Sequence, residues 1–220
     1  MGKAIQKLNK LANPLSFIQI NTIKGFKYVD RAGEIVNSYC KGSAAPKFTM
    51  NLNGLIIDQP LDKTDQLKIT TQTVWMKFNE VDSLDMVSNI FEKEAEKILN
   101  ILDVDKISRV GWRNYFIYDF EDDKEKDCYF KKFSIIKNTK PQILRLEIET
   151  GKKFSASLMI EPVLNNDTKT DGVLFDVDLF IDGELERKDI SRFLKEFRQY
   201  LCEEKGFLDL INDSFEKNVA

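Results

Sequence analysis

The sequence predicts an α+β protein, an antiparallel or mixed β-sheet covered by a long central helix and two C-terminal helices. Three observations predict it. Leu84, Val87, Ile90, Phe91, Ala95, Ile98, Leu99 and Leu102 recur at three- and four-residue steps, the period of an amphipathic helix. Ile107–Phe120 alternates with period two, as a half-buried strand does. Several further alternating stretches are joined by turn signals, and helical periodicity returns at the end of the chain.

Taken in order, Leu15–Ile23 reads as the first extended stretch and Phe26–Val29 as a second, followed by a turn-rich region through Gly33, Gly42 and Pro46. Phe48–Asp58 and Leu67–Phe78 read as strands joined by a turn at Gln59-Pro60-Leu61-Asp62. Asp82–Leu102 is the long helix, with Asp82 or Ser83 as its N-cap. The Ile107–Phe120 strand places Val110, Trp112, Phe116, Tyr118 and Phe120 on one face and Arg109, Gly111, Arg113 and Tyr115 on the other. Glu121–Asp127 is a charge run, read as a solvated loop, and Tyr129–Ile136 is a short helix or strand. Ile143–Glu149 and Phe154–Pro162 form a hairpin about Thr150-Gly151-Lys152, and Val173–Ile181 adds another strand. Two helices close the chain, one on Ile190, Phe193, Leu194, Phe197, Tyr200 and Leu201, the other, after Gly206, on Phe207, Leu210, Ile211 and Phe215. The organisation is an N-terminal segment (1–45) with one or two strands, a β-β-α-β half (46–136) and a β-β-β-α-α half (137–220) in one compact unit. Whether the halves share one sheet is left open by the pattern.

Composition narrows the chemistry. The chain has no histidine, which removes Ser-His-Asp and Cys-His catalysis, His-ligated metals and His general bases from its own repertoire. Thirty-three Lys and Arg against 36 Asp and Glu give a net charge of −3, so no global basic field draws the protein to nucleic acid or anionic membrane. Cys40, Cys128 and Cys202 are far apart and lack C-x-x-C spacing, which argues against disulfides and zinc, and without histidine Cys202 reads as a structural thiol. No apolar run approaches the ~18 residues of a spanning helix, and Met1-Gly2-Lys3-Ala4-Ile5-Gln6 lacks the Ser or Thr of a myristoylation signal. A cytoplasmic protein without membrane attachment is expected. The short basic amphipathic stretch with Lys3, Lys7 and Lys10 reads as a first helix or a frayed end.

Two constellations are candidates for function. Asp176 and Asp178 stand two apart on one strand, as do Glu147 and Glu149 on another. Four carboxylates on one face would take Mg²⁺ for phosphoryl transfer or nucleic-acid cleavage, whereas cross-strand pairing with Arg109, Arg113 and Arg145 is the purely structural alternative. In the second, Arg109, Arg113 and Tyr115 share a strand face, with Lys131 and Lys132 as an extension. Such a strand would contact phosphates and stack bases, or simply alternate for packing. Trp75-Met76-Lys77-Phe78 and the Phe-rich terminal helices read as core or as a protein interface.

Trp75-x-x-Phe78 before a long helix, Arg109-x-Gly111-x-Arg113 opening the following strand, and Asp176-Val177-Asp178-Leu179-Phe180 before the closing helices make a recognisable order. Over residues 48–218 it resembles the sporadically distributed prokaryotic family of unknown function that has an R-x-G-x-R-like strand and a late D-x-D strand. The resemblance carries no reaction, cofactor or catalytic residue; it implies a patchily distributed accessory gene beside antiviral-defence or mobile-element genes. The resulting expectation is a non-enzymatic accessory subunit that binds a protein partner in such a module. The alternatives are a nucleic-acid-binding subunit, such as a companion of a short Argonaute or other nuclease, and a Mg²⁺-dependent phosphoryl-transfer enzyme.

Overall fold

The computed structural model describes residues 12–22, 28–41, 44–131, 143–164 and 170–202, with Phe207 and Ile211 singly. Its elements are β1 (Ala12–Thr22), α1 (Tyr28–Asn37), β2 (Phe48–Asn51), β3 (Gly54–Asp58), β4 (Thr64–Ile69), β5 (Thr73–Asn79), α2 (Leu84–Ile101), β6 (Lys106–Asp119), α3 (Asp123–Lys131), β7 (Leu144–Ile148), β8 (Ser155–Leu164), β9 (Asp171–Glu186) and α4 (Asp189–Cys202). The described strands form a single nine-stranded sheet in the order β2-β3-β4-β5-β1-β6-β9-β8-β7. Every neighbouring pair is antiparallel, so both halves of the chain contribute to one sheet.

The alternation places Ile18 and Ile20 of β1, Val74, Met76 and Phe78 of β5, Val110 and Trp112 of β6, and Val177 and Leu179 of β9 on one buried face. The helices pack there: α1 against β3 and α2, α2 against β5 and α4, α4 against β6 and β9, and α3 against β9. Several polar groups inside this layer are partnered, although the buried Asn114 amide nitrogen has no partner among the described residues. Trp112 donates its indole N–H to Ser16 Oγ at 2.8 Å. Tyr39 donates to the buried Glu94 carboxylate at 2.7 Å, Lys97 pairs with the same oxygen, and the Lys97 ammonium lies 3.6 Å from the Tyr39 ring centre. This cluster ties α1 to α2.

Ser83 caps α2 by accepting from Met86 N–H, and the helix ends before Asp103, whose φ is +54°. Where expectations differ from the fold, the causes are local. The turn-rich reading of the region around Gly33 is corrected by α1, whose Tyr28, Ala32, Ile35 and Val36 form a buried stripe. Gly33 sits on the opposite, open side, where a Cβ would meet nothing within 4 Å. Tyr28 and Val29 belong to this helix rather than to a strand; 23–27 lie outside the described residues.

Phe48–Asp58 is a hairpin of β2 and β3 rather than one strand. Gly54 makes the tight return, with φ +142° and a Cβ position only 2.5 Å from the Ile69 carbonyl of β4. Leu67–Phe78 is likewise two strands, because Thr70 N–H bonds to Thr73 O at 2.8 Å and Thr70 Oγ1 accepts from Gln72 N–H. That turn has neither Gly nor Pro, and its threonines read as strand formers. The charge run expected as a loop begins α3, since Asp122 accepts from Glu125 N–H at 2.7 Å at the helix start. Of the expected second C-terminal helix only Phe207 and Ile211 fall among the described residues; both are helical and buried. The N-terminal basic stretch lies outside the described residues.

Candidate functional site

The other face of the sheet carries the residues out of phase with the core. On β6 these are Arg109, Gly111, Arg113 and Tyr115; on β1 Phe17, Gln19 and Asn21; on β5 Trp75 and Lys77; on β9 Asp176, Asp178, Phe180 and Asp182. Antiparallel register brings them together: Gly111 lies between Gln19 and Phe180, and Arg113 between Phe17 and Asp178.

Two ion-pair systems cross from β6 to β9. Arg113 reaches diagonally to Asp176, with Nε to Oδ1 at 2.7 Å and Nη2 to Oδ2 at 2.5 Å. Asp176 is buried at 4 % exposure, whereas the Arg113 side chain is 47 % exposed. Arg109 Nη1 holds both Asp182 oxygens at 2.9 and 3.0 Å, and its Nη2 reaches Asp178 at 3.4 Å. The hydrogen bonds to Asp176 hold the Arg113 guanidinium above its ordinary pKa against the opposing effect of burial. Burial pushes the Asp178 carboxyl up, only partly offset by the Arg109 and Arg113 charges. Burial also raises Tyr115, with the Asp176 charge adding to it.

Aromatic rings flank these pairs. Phe17 packs edgewise on Trp75 at 5.9 Å and on Tyr115 at 6.0 Å between ring centres. The Arg109 guanidinium lies 4.2 Å from the Phe180 ring centre and that of Arg113 5.2 Å from Tyr115. Two adjoining depressions result. One, of about 510 Å³, is lined by Phe17, Gln19, Trp75, Gly111 and Tyr115 among others. The other, of about 500 Å³, is lined by Arg145, Glu147, Ser157, Met159 and Asp176 among others. Arg113 and Asp178 belong to both. Gly111 keeps the first one open: its φ is not positive, and a Cβ would make only ordinary contacts, the nearest 3.4 Å from Arg109 Nε.

Of the sequence-derived candidates, Arg109, Arg113, Tyr115, Asp176 and Asp178 thus meet on this face. Lys131 does not join them. It is exposed at the end of α3, whose Tyr129 and Phe130 pack on Phe120 of the covered side. Lys132 lies outside the described residues. The two aspartates of the proposed metal site face guanidinium groups, while Glu147 lines the second depression and Glu149 falls beyond the end of β7. Among the described residues no group of three or more His, Cys, Asp or Glu is placed to hold a metal ion. Phe17 and Gln19 escaped the sequence reading, and Trp75 was read there only as core or interface, although the same alternation that separated Arg113 from Trp112 also separates Trp75 from Met76. Cys128 and Cys202 are exposed and Cys40 is partly buried. Among the described residues no helix is long and apolar enough to cross a membrane. No family model matches the chain, and no curated protein matches it in sequence.

Proposed function

We propose that the protein is a non-enzymatic accessory subunit whose open sheet face binds a protein partner, in the antiviral-defence or mobile-element setting that the family resemblance implies. One observation carries the reading: the arginines of this face are matched by carboxylates. Three aspartates face two arginines, so the centre offers no positive excess for a phosphate backbone. What it offers instead is Trp, Tyr, Phe, Met and Arg around a recess, the residue types enriched in the cores of protein interfaces.

Gly111→Thr tests this directly. It fills the floor of the recess, and since glycine is a poor strand residue the fold gains or keeps stability, by up to about 1 kcal/mol. Tagged wild-type protein, Gly111→Thr and Trp75→Ser are used as baits in the native host at moderate salt, with bound proteins identified by mass spectrometry. The expected result is a stoichiometric protein held by wild type and lost from both variants, each still folding cooperatively by circular dichroism. Retention of the same proteins by both variants overturns the assignment. Binding of labelled single strands that falls steeply with salt would establish the nucleic-acid reading in its place.

A further inference from the structure

We propose that strand β2 is a homodimerisation edge, pairing antiparallel with β2 of a second copy of this chain. The inference is independent of the open-face reading and concerns the far end of the sheet. β2 is the terminal strand, and among the described residues its outer side has no strand neighbour. The sequence Phe48-Thr49-Met50-Asn51 contains no charge and no proline, the devices that ordinarily protect an edge, whereas β7 at the other end carries Arg145 and Glu147.

The hydrogen-bond phase is defined. Asp58 N–H donates to Lys47 O at 2.9 Å, so Lys47 and, by alternation, Thr49 and Asn51 turn their main-chain groups inward to β3. The N–H and C=O of Phe48 and Met50 therefore point outward. An antiparallel partner centred on Thr49 sets Phe48 opposite Met50 of the second copy and Met50 opposite its Phe48, which makes four hydrogen bonds related by a two-fold axis.

The side chains fit the same register. Phe48 and Met50 oppose Ile57 and Leu55, which are fully buried, so they continue the core row beneath the helices. Yet they are 47 % and 42 % exposed, because that layer runs out at β2. In the dimer the row reads Ile57, Phe48, then Met50 and Leu55 of the second copy, with a favourable aromatic–thioether contact at the axis. Thr49 meets its own copy on the other face, and an uncharged strand meets its copy without like-charge repulsion.

The test is the mass of tag-free full chain by light scattering and sedimentation over a concentration series. Wild type is expected at twice the 25.5 kDa of one chain at micromolar concentration. Phe48→Lys with Met50→Lys sets like charges opposite each other and should weaken the dimer more than about tenfold. Phe48→Lys with Met50→Glu sets opposite charges in the same register and should dimerise more tightly than the lysine pair at low salt. Met50→Pro removes an outward N–H and the thioether but none of the β2–β3 hydrogen bonds, and should weaken the dimer while circular dichroism shows the chain folded. A 25.5 kDa wild type at every concentration, a dimer indifferent to the lysine pair, or a Lys/Glu variant no tighter than Lys/Lys each overturns the proposal.

Discussion

Arg113→Met asks what the ion pairs of the open face do for the fold. The substitution leaves the Asp176 carboxylate, 4 % exposed, without the two hydrogen bonds it accepts from Arg113. Stripping a buried charge of its partner costs about 3–5 kcal/mol when water is fully excluded. Here the arginine side is 47 % exposed and water can approach from that direction, so about 2–3 kcal/mol is expected. Asp176→Asn is milder, about 1 kcal/mol, because it strands a half-exposed guanidinium that water can solvate and keeps an amide acceptor. The double variant should cost far less than the sum, with a coupling of about 2 kcal/mol. For a chain of this size each kcal/mol moves the melting temperature by about 2–4 °C, so Arg113→Met should melt about 5–10 °C below wild type. Urea unfolding at neutral pH, with the slope constant across the cycle, measures all four corners. An Arg113→Met within about 0.5 kcal/mol of wild type, or an Asp176→Asn equally costly, would refute the asymmetric-burial argument.

Other consequences follow from single contacts. An acid raised by burial costs stability once ionised, so Asp178→Asn should stabilise the protein at neutral pH, and paired melts should converge as pH falls through the raised value to below about 3.9. Tyr39 is pushed up by burial and then by Glu94, so the stability it contributes is full below about pH 10 and is lost only as pH rises toward its raised value. Ultraviolet titration should accordingly show its ionisation only together with unfolding, and Tyr39→Phe should cost about 1–3 kcal/mol in urea. Ser16→Ala orphans the Trp112 indole N–H and should cost a similar amount, about 1–3 kcal/mol. Mg²⁺ should leave the melting temperature unchanged, since Asp176 and Asp178 already face guanidinium groups; a rise abolished by Asp176→Asn would support phosphoryl-transfer chemistry.

The α2 helix and the β6 strand were legible because long periodic patterns average over local exceptions. The eighteen residues of α2 keep phase throughout and β6 keeps it from Arg109 to Asp119, past a bulge between Ile107 and Arg109, and that phase alone separated Arg109, Arg113 and Tyr115 from Trp112 and Phe116. Short elements were not legible. α1 carries a glycine on its solvent side, and the β4–β5 turn is built from threonine side-chain and backbone bonds instead of Gly or Pro. The site was visible only along each strand. That Gly111 sits between Gln19 and Phe180, or that Arg113 selects Asp176 over the directly opposed Asp178, depends on register between strands about 65–90 residues apart, which no local pattern encodes.

The composition of the open face differs from that of a merely solvated one and supports the proposed reading. An antiparallel sheet with one wet face needs only alternation, and long flexible lysines and glutamates satisfy it. Here the centre holds Phe17, Trp75, Tyr115 and Phe180, side chains that cover area at little entropic cost, and its arginines are fixed between carboxylates and rings instead of left mobile. Asp178 is held less tightly than its neighbours, by one guanidinium nitrogen at 3.4 Å, and burial has already reduced its preference for the ionised state. A partner that brings a hydrogen-bond donor into the Gly111 recess would complete that carboxylate, and the flanking ion pairs would need little rearrangement to admit it. On the proposed reading such preorganisation lowers the ordering cost of binding, which a merely solvated face would not need.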